Sequence, residues 1–559
     1  MNRALFTVSL FVVATQVYAG FEPVYAQNGM VVSAERHATR AGVEILKQGG
    51  NAFDAAVAVG FALAVTYPAA GNIGGGGFLV GLTADGEKIA LDFREKAPLK
   101  ATRNMYLDEN GEFVPDLSTD TLLAVGVPGT VHGLLSVLED YGNTDRGRVL
   151  APAIRLAQDG FPISYSLARS LRNKDTKKRL TRFPSTASVL YPNGEPLRFG
   201  ETWKQPELAQ TLRAIRDKGK AGFYEGQTAD LLVDFMRRHG GIITHEDLQN
   251  YSSKYREPFC FTYKQYGLIT HPVPSSGGAT LAQILKLIEP MPLRKMGFGS
   301  AKYVHALVEA ERLAFADRNY YLGDPDFVDV PDDELISDDY IRERRKQIPR
   351  NKAGKSTRVS EGTLEHLETT HYCVVDRHGN VVAVTYTLNG SYGMGAVVEG
   401  AGFLLNNEMD DFSAKPGEPN MYGLVGAEAN AIEPGKRMLS SMTPTIVTKD
   451  GRFDFTIGTP GGPTIITTNL QVFLNIVEFG MNIREAIDER RFHHQWLPDV
   501  IRHEPFAFSP DTERKLKIMG YTLDESEGTM GHAAGIQILR NGVLAGYDDG
   551  RGRGLAAGY

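Results

Sequence analysis

Two stretches in the second half of the chain, TTHYCVV (residues 369–375) and VVAVTYT (381–387), are dense in β-branched and aromatic residues. They are separated only by Asp376-Arg377-His378-Gly379-Asn380. Runs of this kind around a short Gly/Asn turn form an antiparallel hairpin. A turn centred on His378 sets Thr369 opposite Thr387, with their β-carbons about 5 Å apart. A slip of one residue would send every side chain to the opposite face and separate the two hydroxyls. The residues before Thr369 are charged and irregular, so a pair of threonines opens the strand abruptly. The residues alone leave two readings open. One is a cross-strand Thr pair that stabilises the sheet; the other is a chain cut there to expose a hydroxyl amino acid.

The totals narrow the field. With 559 residues, 42% of them apolar, the chain buries a real core in one large domain or a few smaller ones. A formal net charge of −7 argues against nucleic acid and against anionic membrane surfaces, both of which need clustered Lys and Arg. Residues 1–26 read as a secretory signal peptide: Arg3, an apolar run too short to span a bilayer, and small-residue cleavage sites after Ala19 and Ala26. The expected location is therefore periplasmic or secreted, with no membrane anchor. Cys260 and Cys373 are too few for a disulfide framework and read as buried free thiols.

Helical spacing on either side of Gly49-Gly50 predicts two short helices. The glycine run at residues 74–77 then enters a hairpin, FLVGL and KIALDF. That run lacks the Gly-Lys-Ser/Thr ending of a phosphate loop and leads into a strand, so close backbone approach is the better reading. The middle of the chain is mostly helical, residues 349–367 read as an exposed linker, and strands dominate from residue 369. The histidines show no zinc spacing, and no metal or other cofactor is implied. Downstream, FTIGTPGGPTIITT is a strand, a turn at Gly461-Gly462 and a helix, a geometry that aims backbone N–H groups at a developing oxyanion. Ser440-Ser441 precede a strand. Glu408, Asp410 and Asp411 follow an apolar one. Taken singly, each of these also reads as turn or capping chemistry.

Together and in order, the segments GNIGGGGF, DFREKAP, PSSGG, YLGDPDFV, TTHYCVVD, TYTLN, LLNNEMDDFSAKPG, MLSSMTPT, GTPGG, RFHHQWLPD and AAGY resemble the bacterial γ-glutamyltransferase (γ-glutamyltranspeptidase) family. The resemblance implies an α+β N-terminal-nucleophile hydrolase, an αββα sandwich whose precursor cuts itself between Glu368 and Thr369. Residues 27–368 would form the large subunit and 369–559 the small one, the two staying associated. Thr369 would be the nucleophile, its new α-amine, with a pKa of about 7.7–8.0, taking the proton. Thr387 would support it, and Gly461 and Gly462 would form the oxyanion hole.

The same resemblance assigns Arg94, Ser440 and Ser441 to a substrate carboxylate, Asn389, Glu408 and Asp411 to its ammonium, and Tyr422 to a lid. Substrates would be glutathione and other γ-glutamyl compounds, with water, amino acids or dipeptides as acceptors. Several relatives carry Gln where this chain has Glu408. The C-terminal GRGRG departs from the family pattern, so no role passes to Arg551 or Arg553. Two rivals stand beside this reading. A related glutaryl or β-lactam acylase needs no paired acids for an ammonium. An exported binding protein would capture γ-glutamyl peptides without turnover, which the intact Thr369, Thr387 and glycine pair oppose.

Overall fold

A computed structural model describes residues 22–356, 369–526 and 528–559. Its centre is a pair of seven-stranded sheets in which every pairing is antiparallel. In chain order their strands are β1 (Val24–Ala26), β2 (Met30–Ser33), β3 (Gly76–Leu82), β4 (Lys88–Phe93), β5 (Lys254–Arg256), β6 (Phe259–Tyr263) and β7 (Tyr266–Thr270). These are followed by β8 (Thr370–Val375), β9 (Val381–Thr387), β10 (Thr445–Lys449), β11 (Arg452–Gly458), β12 (Ala534–Ile538), β13 (Leu544–Asp548) and β14 (Leu555–Gly558). One sheet runs β14-β2-β8-β9-β3-β4-β5 and the other β1-β13-β12-β11-β10-β7-β6.

The period of two along β8 decides the layering. Cys373 and Val375 point between the sheets, where they meet Met30, Val32, Ile446 and Ile536. Tyr372 and Val374 point outward, into a core shared with α1 (Arg36–Lys47), α2 (Ala52–Thr66) and α3 (Thr130–Tyr141). Burying one such Val stabilises the fold by about 1.5–3 kcal/mol. Every residue of α2 is buried, which explains why its sequence is apolar all round rather than striped. Asn51 and Asp54 close a capping box at its start, and the Ala52 N–H donates to Asp376 in the β8–β9 turn at 2.9 Å. On the other sheet, α4 (Gly277–Ile288) packs on β6, α6 (Thr464–Val477) packs on β11, and α5 (Ala301–Tyr321) lies against α4. The result is the expected αββα sandwich.

The hairpin register is the predicted one: Thr370 pairs with Tyr386, which sets Thr369 across from Thr387. The glycine run is a place of close approach. A Cβ on Gly75 would lie 2.1 Å from the Thr387 carbonyl oxygen, and one on Gly74 would lie 2.1 Å from that of Leu404. The apolar stretch before Glu408 differs from its expected strand. It makes one isolated bridge, Val397 to Leu404, because its backbone folds back onto residues 394–398 rather than joining a sheet. The Asn406 side chain donates to the Gly74 and Gly126 carbonyls, both at 2.8 Å, and accepts from the N–H of Gly126 and Glu408. Cys373 is a buried free thiol as expected, but Cys260 is exposed, because its side chain falls on the outward-facing set of β6.

Residues 357–367 of the linker, Glu368 at the expected cleavage bond, and residues 1–21 of the expected signal peptide lie outside the described residues. Within the described part, Val24–Ala26 pairs with β13 and Ala26 is buried.

Candidate active site

The site lies at one end of the sandwich, where Thr369 leads into β8 and β9 ends. A cavity is lined there by Thr369, Thr387, Asn389, Arg94, Glu408, Asp411, Ser440, Ser441, Gly462 and Tyr422, together with residues that the sequence reading did not single out. Every predicted site residue except Gly461 thus reaches the same cavity wall.

Among the described residues, the nucleophile side carries no formal side-chain charge. The Thr369 hydroxyl donates to the Thr387 hydroxyl across 3.5 Å, and Thr387 Oγ1 accepts the Asn389 N–H at 2.8 Å. Asn389 sits at φ 74°, a left-handed conformation that Asn tolerates, and its side chain donates to the Asn407 carbonyl. The turn between β11 and α6 holds Gly461 at φ 134° and Gly462 at φ 52°. A Cβ on Gly461 would meet the Thr464 hydroxyl at 2.4 Å, so this turn requires glycine there. Gly461 lies behind the wall, its carbonyl accepting from the Thr464 N–H and hydroxyl. Neither amide N–H of the pair donates a hydrogen bond among the described residues.

The opposite side is dense with charge. Arg94 leaves the end of β4 fully buried. Its guanidinium donates to Glu408, to Asp411 at 2.5 Å, and through Nε to the Met438 carbonyl. Glu95 stands 3.6 Å from the same guanidinium. Burial pulls the Arg94 pKa down, but Glu408, Asp411 and Glu95 outweigh it and hold the charge. Burial pushes Glu408 well above the usual carboxylate range and raises Asp411 too, Arg94 opposing both. Burial, again against Arg94, pushes the Glu95 carboxyl up to about 7. Neither Glu95 oxygen finds a hydrogen-bond donor among the described residues, so burial disfavours its charged form without a compensating bond. The resemblance assigns Arg94 to a substrate carboxylate; the structure pairs it with the two acids assigned to the ammonium.

Ser440 is fixed by its backbone: its N–H donates to Pro274, and its carbonyl accepts from the Ser276 N–H and hydroxyl. Its own Oγ accepts the Met442 N–H at 3.1 Å. This explains the PSSGG segment, which supplies the partner edge for the two serines. Tyr422 is buried under the loop of residues 413–430, its carbonyl accepting from Gln495 and its N–H donating to Asn420.

Sequence reading missed Glu95, Arg318, Asn319, Asn420 and Asn430. Arg318 occupies the last turn of α5, where a basic residue ordinarily serves the helix dipole. Its neighbours, joined to the quoted YLGDPDFV segment, were the one available signal. Arg551 binds Glu504 and Asp549 in a buried cluster away from the cavity.

Comparison with known proteins agrees with the geometry. The family model described as gamma-glutamyltranspeptidase matches residues 38–559. The "Glutathione hydrolase proenzyme" of Pseudomonas sp. (strain A14) is 47% identical over 572 residues, covering 100% of this chain and 99% of its own. Among solved structures, a cephalosporin acylase from Bacillus halodurans superposes with a TM-score of 0.84 at 29% identity, covering 99% of both chains. A γ-glutamyltranspeptidase chain from Helicobacter pylori has a TM-score of 0.58 at 44% identity, covering 61% of this chain and 96% of its own.

Proposed function

The chain belongs to the γ-glutamyltranspeptidase family, and on that premise we propose how its site works. It is an autoprocessed N-terminal-nucleophile enzyme of γ-glutamyl hydrolysis and transfer. In the precursor, the Thr369 hydroxyl adds to the carbonyl of residue 368. The C–N bond breaks as nitrogen takes a proton, and an ester forms. Water opens that ester, leaving a carboxylate on Glu368 and a free α-amine on Thr369. That amine then takes the Thr369 hydroxyl proton as the oxygen attacks a γ-carbonyl. Gly461 and Gly462 receive the oxyanion, the amine leaves protonated, and the γ-glutamyl-Thr369 ester passes its acyl group to water, an amino acid or a dipeptide. Glutathione is the proposed donor, in keeping with the glutathione hydrolase proenzyme of Pseudomonas sp. that the chain resembles.

The observation that carries this reading is the Arg94–Glu408–Asp411 cluster facing Thr369 and Thr387 across one cavity. A zwitterionic head group substitutes into it charge for charge: its ammonium takes the two acids and its carboxylate takes the guanidinium. A head group with only one of these charges strands a buried partner, a loss of about 3–5 kcal/mol. Thr387 and Asn389 hold the nucleophile's surroundings, Ser440 and Ser441 add carboxylate donors, and Tyr422 closes the cavity.

The acylase reading rests on the superposition with the cephalosporin acylase, but the paired acids favour the γ-glutamyl donor. The proposed division into residues 27–368 and 369–559 draws support from the Helicobacter pylori chain, which is nearly whole yet spans only 61% of this one. We also place the protein in the periplasm or outside the cell. Cleavage after Ala19 spares β1, whereas cleavage after Ala26 removes it. The test is direct. Purified protein, resolved into two fragments, should release anilide from γ-glutamyl anilide and do so faster with a dipeptide acceptor; a single uncut chain without that activity refutes the proposal.

A further inference from the structure

Among the described residues two arginines reach the cavity, and they are in opposite electrostatic states. Arg94 faces three carboxylates, two of them in direct contact. Arg318 is also buried, yet no carboxylate among the described residues lies within ion-pair distance of it. Its guanidinium donates to three neutral groups: Nε to Ser276 Oγ at 2.8 Å, Nη1 to Asn319 Oδ1 at 2.9 Å, and Nη2 to Ser441 Oγ at 3.0 Å. A buried cation without a counter-charge is costly, and burial lowers its pKa to about 10, with Asp411 opposing. Such a group is retained most readily where an anion completes the site.

Donor arithmetic on Ser441 points to where that anion sits. A guanidinium has only donors, so Ser441 Oγ must accept from Arg318 and its own O–H must point elsewhere. Its neighbour Ser440 is set the same way, because Ser440 Oγ accepts the Met442 N–H. Arg318 and that N–H together turn two adjacent hydroxyls into outward donors beside a positive charge that no carboxylate among the described residues contacts. Arg94 alone does not supply this field, because its charge is shared among Glu408, Asp411 and Glu95.

We propose that Arg318 is the positioning residue for the α-carboxylate of the donor, holding Ser441 as a hydrogen-bond donor and supplying positive charge behind it. This rests on the γ-glutamyl reading of the site. The ammonium and the γ-carbonyl are handled elsewhere, by the acids and by Thr369 with the glycine turn. The role is therefore specific to one functional group of the substrate.

Three anilides separate the possibilities: γ-glutamyl, glutaryl (carboxylate kept, ammonium missing) and 4-aminobutyryl (ammonium kept, carboxylate missing). In the processed two-fragment enzyme, Arg318→Met should lower kcat/KM on the γ-glutamyl and glutaryl donors by about 10- to 100-fold, mostly through KM, as expected for loss of a charge-assisted contact. Its loss on the 4-aminobutyryl donor should be at least about tenfold smaller. Arg318→Lys, which keeps the charge and loses the fork, should recover part of the KM effect. Equal losses on all three donors, or no loss on any, overturn the proposal. A variant that does not process is replaced by Ser441→Ala, which must show the same donor ranking; a flat ranking there overturns the proposal too. Failure of the unmodified enzyme to cleave γ-glutamyl anilide would refute the underlying reading instead.

Discussion

The two walls of the cavity work by different physics. On the nucleophile wall, Thr369, Thr387 and the Gly461-Gly462 turn are uncharged, and everything depends on position: a register, a left-handed Asn, a glycine turn. On the binding wall, Arg94, Glu95, Glu408 and Asp411 are packed so closely that charge itself is the organising quantity. The first wall should fail when geometry is lost even if polarity is kept. The second should fail when charge is changed even if shape is kept.

The largest effect should come from Thr369→Val, which nearly preserves shape and removes the hydroxyl. Turnover should fall by about 10⁴–10⁶-fold, and the chain should run as one uncut band on a denaturing gel. Asp411→Asn keeps shape on the other wall and removes a charge. It should lower kcat/KM on γ-glutamyl anilide by about 10²–10³-fold while sparing a glutaryl donor by comparison, because only the first presents an ammonium. Matched losses on both donors would erase the distinction between the walls. Thr387→Val should cost less, about 10- to 100-fold in kcat. It removes the partner of Thr369 and leaves the buried Asn389 N–H without an acceptor.

The smallest effect concerns stability and pH. Glu95 has a folded-state pKa near 7, raised from an ordinary 4.5, so the folded chain holds a proton that the unfolded chain has already lost. Stability from this group is therefore present in full below about pH 4.5 and declines as pH rises toward 7. Glu95→Gln removes the titration. Its melting temperature relative to the parent should rise by about 1–3 °C between pH 5 and pH 8, as calorimetry can read. A constant difference across that range would show that Glu95 keeps its charge.

How far the sequence reveals each wall follows the same divide. Thr369 and Thr387 meet through a local turn, so their facing was readable from the spacing around His378, as were the flanking helices, the glycine approach and the strand–turn–helix at Gly461. The sandwich itself and the roles of the acids came through the order of motifs, not through any local rule. Contacts across long separations were not legible. Arg94 meets Glu408 and Asp411 more than three hundred residues along the chain, and nothing local to DFREKAP says that its guanidinium is already shared. Glu95 looks like any acid beside an arginine until its missing donors are seen. Arg318 reads as a helix-end charge until its burial is known. The apolar run before Glu408 misled because it pairs back onto residues 394–398 instead of joining a sheet, a choice that apolar pattern does not record.

The central claim is that the working nucleophile carries its own amine. Sequencing the N-termini of fully active, purified protein tests it most directly. The account predicts a small fragment beginning at Thr369 in stoichiometric amount, its appearance tracking the rise of activity. Full activity in a chain whose bond before Thr369 is intact would contradict it.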